Sequence, residues 1–184
     1  MRFSSKSMMV LSAFYLAFVF VPASHAQLNS NNATVNLNAV MSESLTVAAG
    51  PATVNFTPLA PNGATNGDNP VTITTTWALA KTRTSVKLYA YFLTANALTD
   101  GAGDNIPVAN VTGNVNGGGA NPFTGATPFA GATGMTVFTQ AIGAAGTFNS
   151  SHGPDKIALT INTAGLSLPA ATYTGVLNVQ AQAL

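Results

Sequence analysis

Hydrophobic and polar residues alternate with a period of two at several places along this chain, and no stretch sustains the period of a helix. The clearest alternation spans residues 71–79, where Thr75 shares an apolar face with Trp77 and threonines line the other face. Residues 85–94 repeat the pattern, with Leu88 and its alternate neighbours predicted to point inward. We predict further strands over residues 34–41, 44–48, 53–57, 108–115, 136–142, 156–162 and 173–183.

Turn-forming residues separate these predicted strands, as expected of antiparallel sheets. The pattern therefore predicts an all-β fold, a two-sheet antiparallel β-sandwich of seven to nine strands with immunoglobulin-like or jelly-roll-like packing. Residues 81–84 are expected to connect their flanking strands as a hairpin. A long Gly-rich surface loop is expected around residues 116–134, with Phe123 and Phe129 either tucked onto the sandwich or presenting apolar contacts.

The first 26 residues have the organisation of a secretory signal peptide. Arg2 and Lys6 form a positive region, an apolar run follows, and small residues end the segment at Ala26. Cleavage there leaves one predicted domain, residues 27–184, with 158 residues, four basic and five acidic side chains. We expect a secreted protein, extracellular or at the cell surface, which passes through the periplasm if the cell is Gram-negative.

Only 6% of the residues are charged, and the chain contains no cysteine. So few basic residues exclude electrostatic binding to nucleic acid, and after signal cleavage nothing predicts attachment to a membrane. Without cysteine, thiol chemistry is excluded and stability must come from core burial, assembly or a bound ion.

Catalysis has little support in the sequence. His152 is the only histidine left after signal cleavage, and its neighbours Ser150, Ser151 and Asp155 look like an exposed loop. A catalytic triad depends on geometry in space, which adjacency in a turn does not supply. We therefore expect a protein that is not an enzyme.

One loop has the residue types of a cation site. Asp100 and Asp104 stand four residues apart with glycines between them, and Asn105 follows. Carboxylate, amide and carbonyl oxygens are the ligands that calcium prefers, so this loop is our candidate calcium site. The alternative is an ordinary turn, because Asp-Gly sequences are common in turns.

A second candidate site lies on the strand at residues 85–94. Lys87, Tyr89 and Tyr91 alternate with the inward residues and stand near Lys81 and Arg83. Such a surface suits a glycan, an anionic polymer or a neighbouring subunit. The alternative is that loops cover the sheet and the tyrosines are packing residues.

The segment before the first internal strand suggests self-association. Val35, Leu37, Ala39 and Met41 alternate strictly with other residues, after a polar leader. They form either an edge strand of their own domain or a donor strand that completes the sheet of a neighbour. Repeated head-to-tail addition of such strands gives an open filament.

The last 17 residues, Leu-Pro-Ala-Ala-Thr-Tyr-Thr-Gly followed by an alternating strand, carry a family resemblance. They resemble the closing strand of bacterial secreted immunoglobulin-like domains, including pilin-like and spore coat protein U-like subunits. Tyr173, four residues after Pro169, also fits a tyrosine corner. The chain departs from chaperone–usher pilins in lacking their cysteine pair and the aromatic residue near the C-terminus.

The resemblance implies an exported surface subunit that polymerises. Together with the alternation, it leads us to expect a structural or adhesive cell-surface protein whose partners are further copies or other surface subunits. The alternative is a monomeric extracellular module that binds carbohydrate or another polymer.

Overall fold

The computed structural model describes residues 30–123 and 134–184, and this part of the chain contains eleven strands. Residues 40–184 form one compact unit, and the described residues 30–39 belong to a second one. The predicted signal peptide and Phe129 lie outside the described residues. The strands are β1 Ser44–Gly50, β2 Ala64–Asn66, β3 Val71–Ala78, β4 Ser85–Tyr91, β5 Asn96–Thr99, β6 Asn105–Pro107, β7 Val111–Val115, β8 Ala120–Pro122, β9 Met135–Ala141, β10 Asn149–Asn162 and β11 Asn178–Ala183.

These strands build antiparallel sheets. The larger sheet has the order β1-β3-β10-β7-β8, with β2 also paired to β10, and the smaller one has the order β11-β4-β9. A two-stranded sheet, β5-β6, accompanies them. The predicted all-β antiparallel sandwich is confirmed, with a strand count above the predicted seven to nine because β2, β5, β6 and β8 are only three or four residues long.

The core lies between the two main sheets, where alternate residues of their central strands meet. Ile73 of β3, Leu88 of β4 and Ile157 of β10 are fully buried. Phe123 is also buried and packs edge-on against Phe92, with 5.1 Å between ring centroids. Phe123 is thus tucked onto the sandwich, which is the first of its two predicted placements.

The connection between β3 and β4 differs from the predicted hairpin. β3 belongs to the larger sheet and β4 to the smaller one, so residues 79–84 carry the chain from one layer to the other. Alternation places Ile73 of β3 and Leu88 of β4 on the core side correctly, but it does not say which sheet either strand joins. The hairpin prediction is therefore wrong.

Two predicted strands are absent. Residues 34–41 and 53–57 alternate in sequence but contain no strand. In the second of these segments, Val54 and Phe56 still pack on the core, while Asn55 donates its backbone and side-chain N–H groups to Asp68 at 3.0 and 2.9 Å. A side chain thus replaces the strand partner that this segment lacks.

The first half of β10 was expected to be an exposed loop. Instead residues 149–152 pair with β3, and a bulge at Gly153-Pro154 separates them from the pairing of Asp155 with Ile73. The serine, glycine and proline residues have turn composition, which hides the strand in the sequence. Asp155 is consequently buried rather than exposed.

Candidate functional site

The N-terminal part of the described chain exposes its apolar side chains. Val35, Leu37 and Met41 are 81%, 93% and 81% exposed, and Ala39 is exposed as well. Residues 30–43 contain no strand, so the edge-strand alternative finds no support. Exposure of alternating apolar side chains is unfavourable in water, and it leaves this segment suited to pairing with another surface.

One edge of β11, on the folded unit, has no hydrogen-bonded strand partner among the described residues. Among the described residues β11 pairs only with β4, and β1 lies beside β11 without hydrogen-bonding to it. The apolar side chains along this seam are only partly buried, in contrast to those of the central strands. They are Leu45, Val47, Val179, Ala181 and Ala183.

A charged contact stands where the chain enters β1. Arg83 donates from Nε and Nη2 to the two carboxylate oxygens of Glu43, at 3.1 and 3.0 Å, and the backbone N–H of Ala80 donates to Oε1 at 2.8 Å. The hydrogen bonds from Arg83 and Ala80 lower the pKa of Glu43 to about 2. Arg83 also reaches the carbonyl of Ala183 at 3.5 Å, so one guanidinium links the start of β1 to the end of β11.

The candidate calcium loop is closed by its own hydrogen bonds. Asp100 Oδ1 accepts from the backbone N–H groups of Ala102, Gly103 and Asp104, at 2.8, 3.1 and 3.0 Å. Asn105 donates its side-chain amide to the carbonyl of Gly103. These bonds describe the turn that was the alternative interpretation, and calcium binding at Asp100, Asp104 and Asn105 stays a prediction.

The same loop lies near the tyrosine corner. Tyr173 donates its hydroxyl to the carbonyl of Pro169 at 3.1 Å, which is the kind of contact that a tyrosine corner makes. Thr174 and Thr99 exchange backbone hydrogen bonds, each 2.9 Å long, so β5 is joined to the segment that leads into β11. Desolvation, together with the negative charges of Asp104 and Asp100, raises the pKa of Tyr173.

The tyrosines of the candidate ligand surface are covered. Tyr89 and Tyr91 are buried while Lys87 is half-buried, and Tyr91 donates its hydroxyl to Gln180 Oε1 at 2.9 Å. The three residues therefore do not form the open face that the alternation suggested, and the tyrosines are packing residues as in the alternative. Ligand binding by them stays a prediction.

A polar cluster that sequence reasoning missed lies at the bulge of β10. His152 Nε2 is 3.5 Å from Asp155 Oδ1, and Asn116 donates to the same oxygen at 2.8 Å. Thr75, directly opposite His152 in the sheet, is fully buried. The proximity of His152 and Asp155 in sequence was the one available signal, but their turn composition led us to expect exposure.

Among residues 30–123 and 134–184, no group of three or more His, Cys, Asp or Glu side chains could hold a metal ion. No helix of this described part is long and apolar enough to cross a membrane. The chain matches no family model, and comparisons with curated proteins and with solved structures find no match either.

Proposed function

We propose that this chain is an exported, non-enzymatic cell-surface subunit that polymerises by strand addition. Residues 34–41 of one copy would add to the open edge of β11 in the next. Two features of the same chain carry the proposal. Residues 34–41 expose alternating apolar side chains, and β11 has a half-buried edge and only one pairing partner among the described strands.

The dimensions of the two surfaces agree. Eight extended residues span about 27 Å and the six residues of β11 span about 20 Å, so the segment is long enough to cover the strand. In that arrangement Val35, Leu37, Ala39 and Met41 would face the seam, and each larger side chain buried there contributes about 1.5–3 kcal/mol. Main-chain hydrogen bonds would supply the rest of the affinity.

The scarcity of charge also supports assembly. Charged side chains on edge strands are a common defence against unwanted pairing. β1 and β11 contain no charged residue, and neither do residues 34–41. The C-terminal residues resemble the closing strand of pilin-like and spore coat protein U-like surface subunits, and this resemblance also favours assembly.

Electron microscopy of the exported protein tests the proposal. Wild type is expected to form filaments and to give heat-resistant ladders on gels of unboiled samples. The double variant Val35→Asp/Leu37→Asp is expected to remain monomeric, because each carboxylate would have to be desolvated in the seam.

A matched control places the same charges one residue further along. Asn36→Asp/Asn38→Asp keeps them on the opposite face of the donor strand and should still polymerise, since side chains alternate strictly between faces. Filaments that survive Val35→Asp/Leu37→Asp would refute strand addition through this segment. A wild-type protein that stays monomeric and binds a glycan panel would favour the carbohydrate-binding alternative instead.

A further inference from the structure

A cavity of about 350 Å³ opens beside the place where β4 ends and β11 begins. Its wall is formed by the residues that follow β4, by the β5-β6 sheet and by the segment that leads into β11. All of these parts belong to the compact unit of residues 40–184, so the cavity lies within one copy of the chain. Its volume falls in the range of small-molecule sites, about 300–1,000 Å³.

Hydrogen bonds and core packing fix the wall of this cavity. Thr99 and Thr174 exchange two backbone hydrogen bonds of 2.9 Å, and the backbone N–H of Val108 donates to the carbonyl of Ala95 at 2.9 Å. On another side of the cavity Phe92 belongs to the hydrophobic core. The fold therefore forms the cavity in advance, which lowers the ordering cost of binding a ligand.

Polar side chains of the wall have hydrogen-bonding groups that the protein does not use. Within the described part of the chain, the side chains of Asn96 and Thr174 make no hydrogen bond, and the Oδ1 atoms of Asn105 and Asn178 accept none. A side-chain amide has two donor hydrogens and an acceptor oxygen, and a hydroxyl both donates and accepts. This lining suits a ligand whose own groups also donate and accept.

Two exposed apolar side chains lie at the same cavity. Leu93 and Val176 are 63% and 70% exposed, and Leu184 is the only other exposed large apolar side chain in the described part of residues 44–184. Exposed apolar groups rimmed by polar ones are typical of binding sites. None of the residues that line the cavity is charged. We therefore expect a neutral ligand that combines hydroxyl groups with an apolar face.

A saccharide has this combination, because its hydroxyl groups donate and accept hydrogen bonds while its ring C–H groups form apolar patches. We propose that the cavity binds a neutral saccharide, which hydrogen-bonds to the side chains of Asn96, Thr174 and Asn178. The ring C–H groups of the sugar then contact Leu93 and Val176.

The cavity suits other ligand classes less well. A peptide that binds by strand addition needs free backbone N–H and C=O groups, and here Thr99 and Thr174 use theirs on each other. An anionic ligand would find no basic side chain in the wall, and Asp100 directly follows Thr99. A neutral saccharide meets neither obstacle.

This inference does not rest on strand addition. Residues 34–41 do not line the cavity, so a chain that stays monomeric and a chain that polymerises both carry it. The cavity is also separate from the candidate surface at Lys87, Tyr89 and Tyr91, none of which lines it. Either proposal can therefore fail without the other.

The test is NMR titration of the isotope-labelled Val35→Asp/Leu37→Asp chain, which is expected to stay monomeric even if wild type forms filaments. The probes are glucose, galactose, mannose, N-acetylglucosamine and their short oligomers, with sialylated glycans, sulfated glycans and a short neutral peptide for comparison. At least one neutral saccharide is expected to bind one equivalent with a Kd of about 1 mM or below. Binding should shift the signals of residues around the cavity.

Asn96→Ala and Asn178→Ala, each made in that chain, should weaken binding about tenfold, because each removes a hydrogen-bonding partner of the sugar. Asn149→Ala is the matched control, since Asn149 is also exposed and lies outside the cavity, and it should leave the affinity unchanged.

The proposal is overturned if no neutral saccharide binds, or if only the anionic glycans or the peptide do. Equal affinity of Asn96→Ala, Asn178→Ala and the parent chain would overturn it as well. Should Asn178→Ala fail to fold, Asn96→Ala decides alone, because the side chain of Asn96 makes no hydrogen bond within the described residues.

Discussion

Glu43 shows how one acidic residue is used at the boundary of the folded unit. Its carboxylate receives hydrogen bonds from Arg83 and from the backbone of Ala80, and these lower its pKa to about 2. Because the pKa is lowered from 4.5, the stabilisation is present above pH 4.5 and is lost as the pH falls towards 2.

Glu43→Gln is therefore expected to lower Tm at pH 6 and to have a much smaller effect at pH 2. The difference at pH 6 should be a few degrees at most, because Arg83 and Glu43 are 41% and 38% exposed and solvent screens the pair. Thermal unfolding of both proteins between pH 2 and 7 measures it.

Arg83→Gln provides the control for that measurement. In the Arg83→Gln background, Glu43→Gln should produce a smaller change in Tm at pH 6, since the principal partner is already missing. An equal change in both backgrounds would show that Arg83 is not the cause of the lowered pKa.

The Thr75 hydroxyl leads to a second prediction at this scale. It is fully buried without a hydrogen-bond partner, and valine has nearly the same shape. Thr75→Val should stabilise the protein by about 1 kcal/mol, measured by denaturant unfolding, because an unpaired hydroxyl is removed from the core. A loss of stability would show that the hydroxyl has a partner. Thr74→Val, at an exposed position of the same strand, should change little.

Among the elements, the junction of β5 with the segment before β11 depends on a glycine. A Cβ on Gly175 would lie 1.9 Å from the carbonyl oxygen of Ala97. Gly175→Ala should therefore separate these chains and destabilise the protein by about 2 kcal/mol or more.

Gly143→Ala is the comparison for that variant, because a Cβ there meets nothing within 4 Å. Its free energy of unfolding in urea should stay within about 0.5 kcal/mol of wild type. Equal stability of the two variants would mean that Ala97 moves away at little cost.

The elements that could be predicted from sequence are those whose alternation coincides with burial. β3 and β4 were found because Ile73 and Leu88 alternate with polar residues and face the core. The first half of β10 was missed because its partner strand, rather than its own composition, makes it extended. Residues 34–41 show the reverse case, since their alternation has no sheet within the described chain to join.

The candidate sites also differ in how far they could be predicted, because some contacts are local in sequence and others join distant strands. The Tyr173 contact with Pro169 is local, four residues apart, and could be read from spacing. The cluster around Asp155 requires Thr75 and Asn116, which are distant in sequence, so the pairing of β10 with both β3 and β7 brings it together. The burial of Tyr91 likewise depends on Gln180 of another strand.

For the whole molecule, the compact unit of residues 40–184 is expected to fold without the segment before it. A chain that begins at Ser42 keeps Glu43, and the described residues that it loses, 30–41, are all exposed, so its Tm should lie within about 2 °C of the Val35→Asp/Leu37→Asp monomer. Circular dichroism during thermal unfolding checks this. Loss of a cooperative transition in the shortened chain would show that residues 34–41 belong to its core.

Arg83 joins the first strand of the folded unit to its last one, since it binds Glu43 and the carbonyl of Ala183. In a filament built as proposed, tension from one neighbour enters the subunit just before Glu43, and tension from the other is applied along β11. The mechanical load then passes into β3 through the seven residue pairs of β1 and into β4 through the six residue pairs of β11, and Arg83 adds a direct link between the two ends. A stretched filament would therefore pull on the strand pairing of both sheets as well as on this surface link.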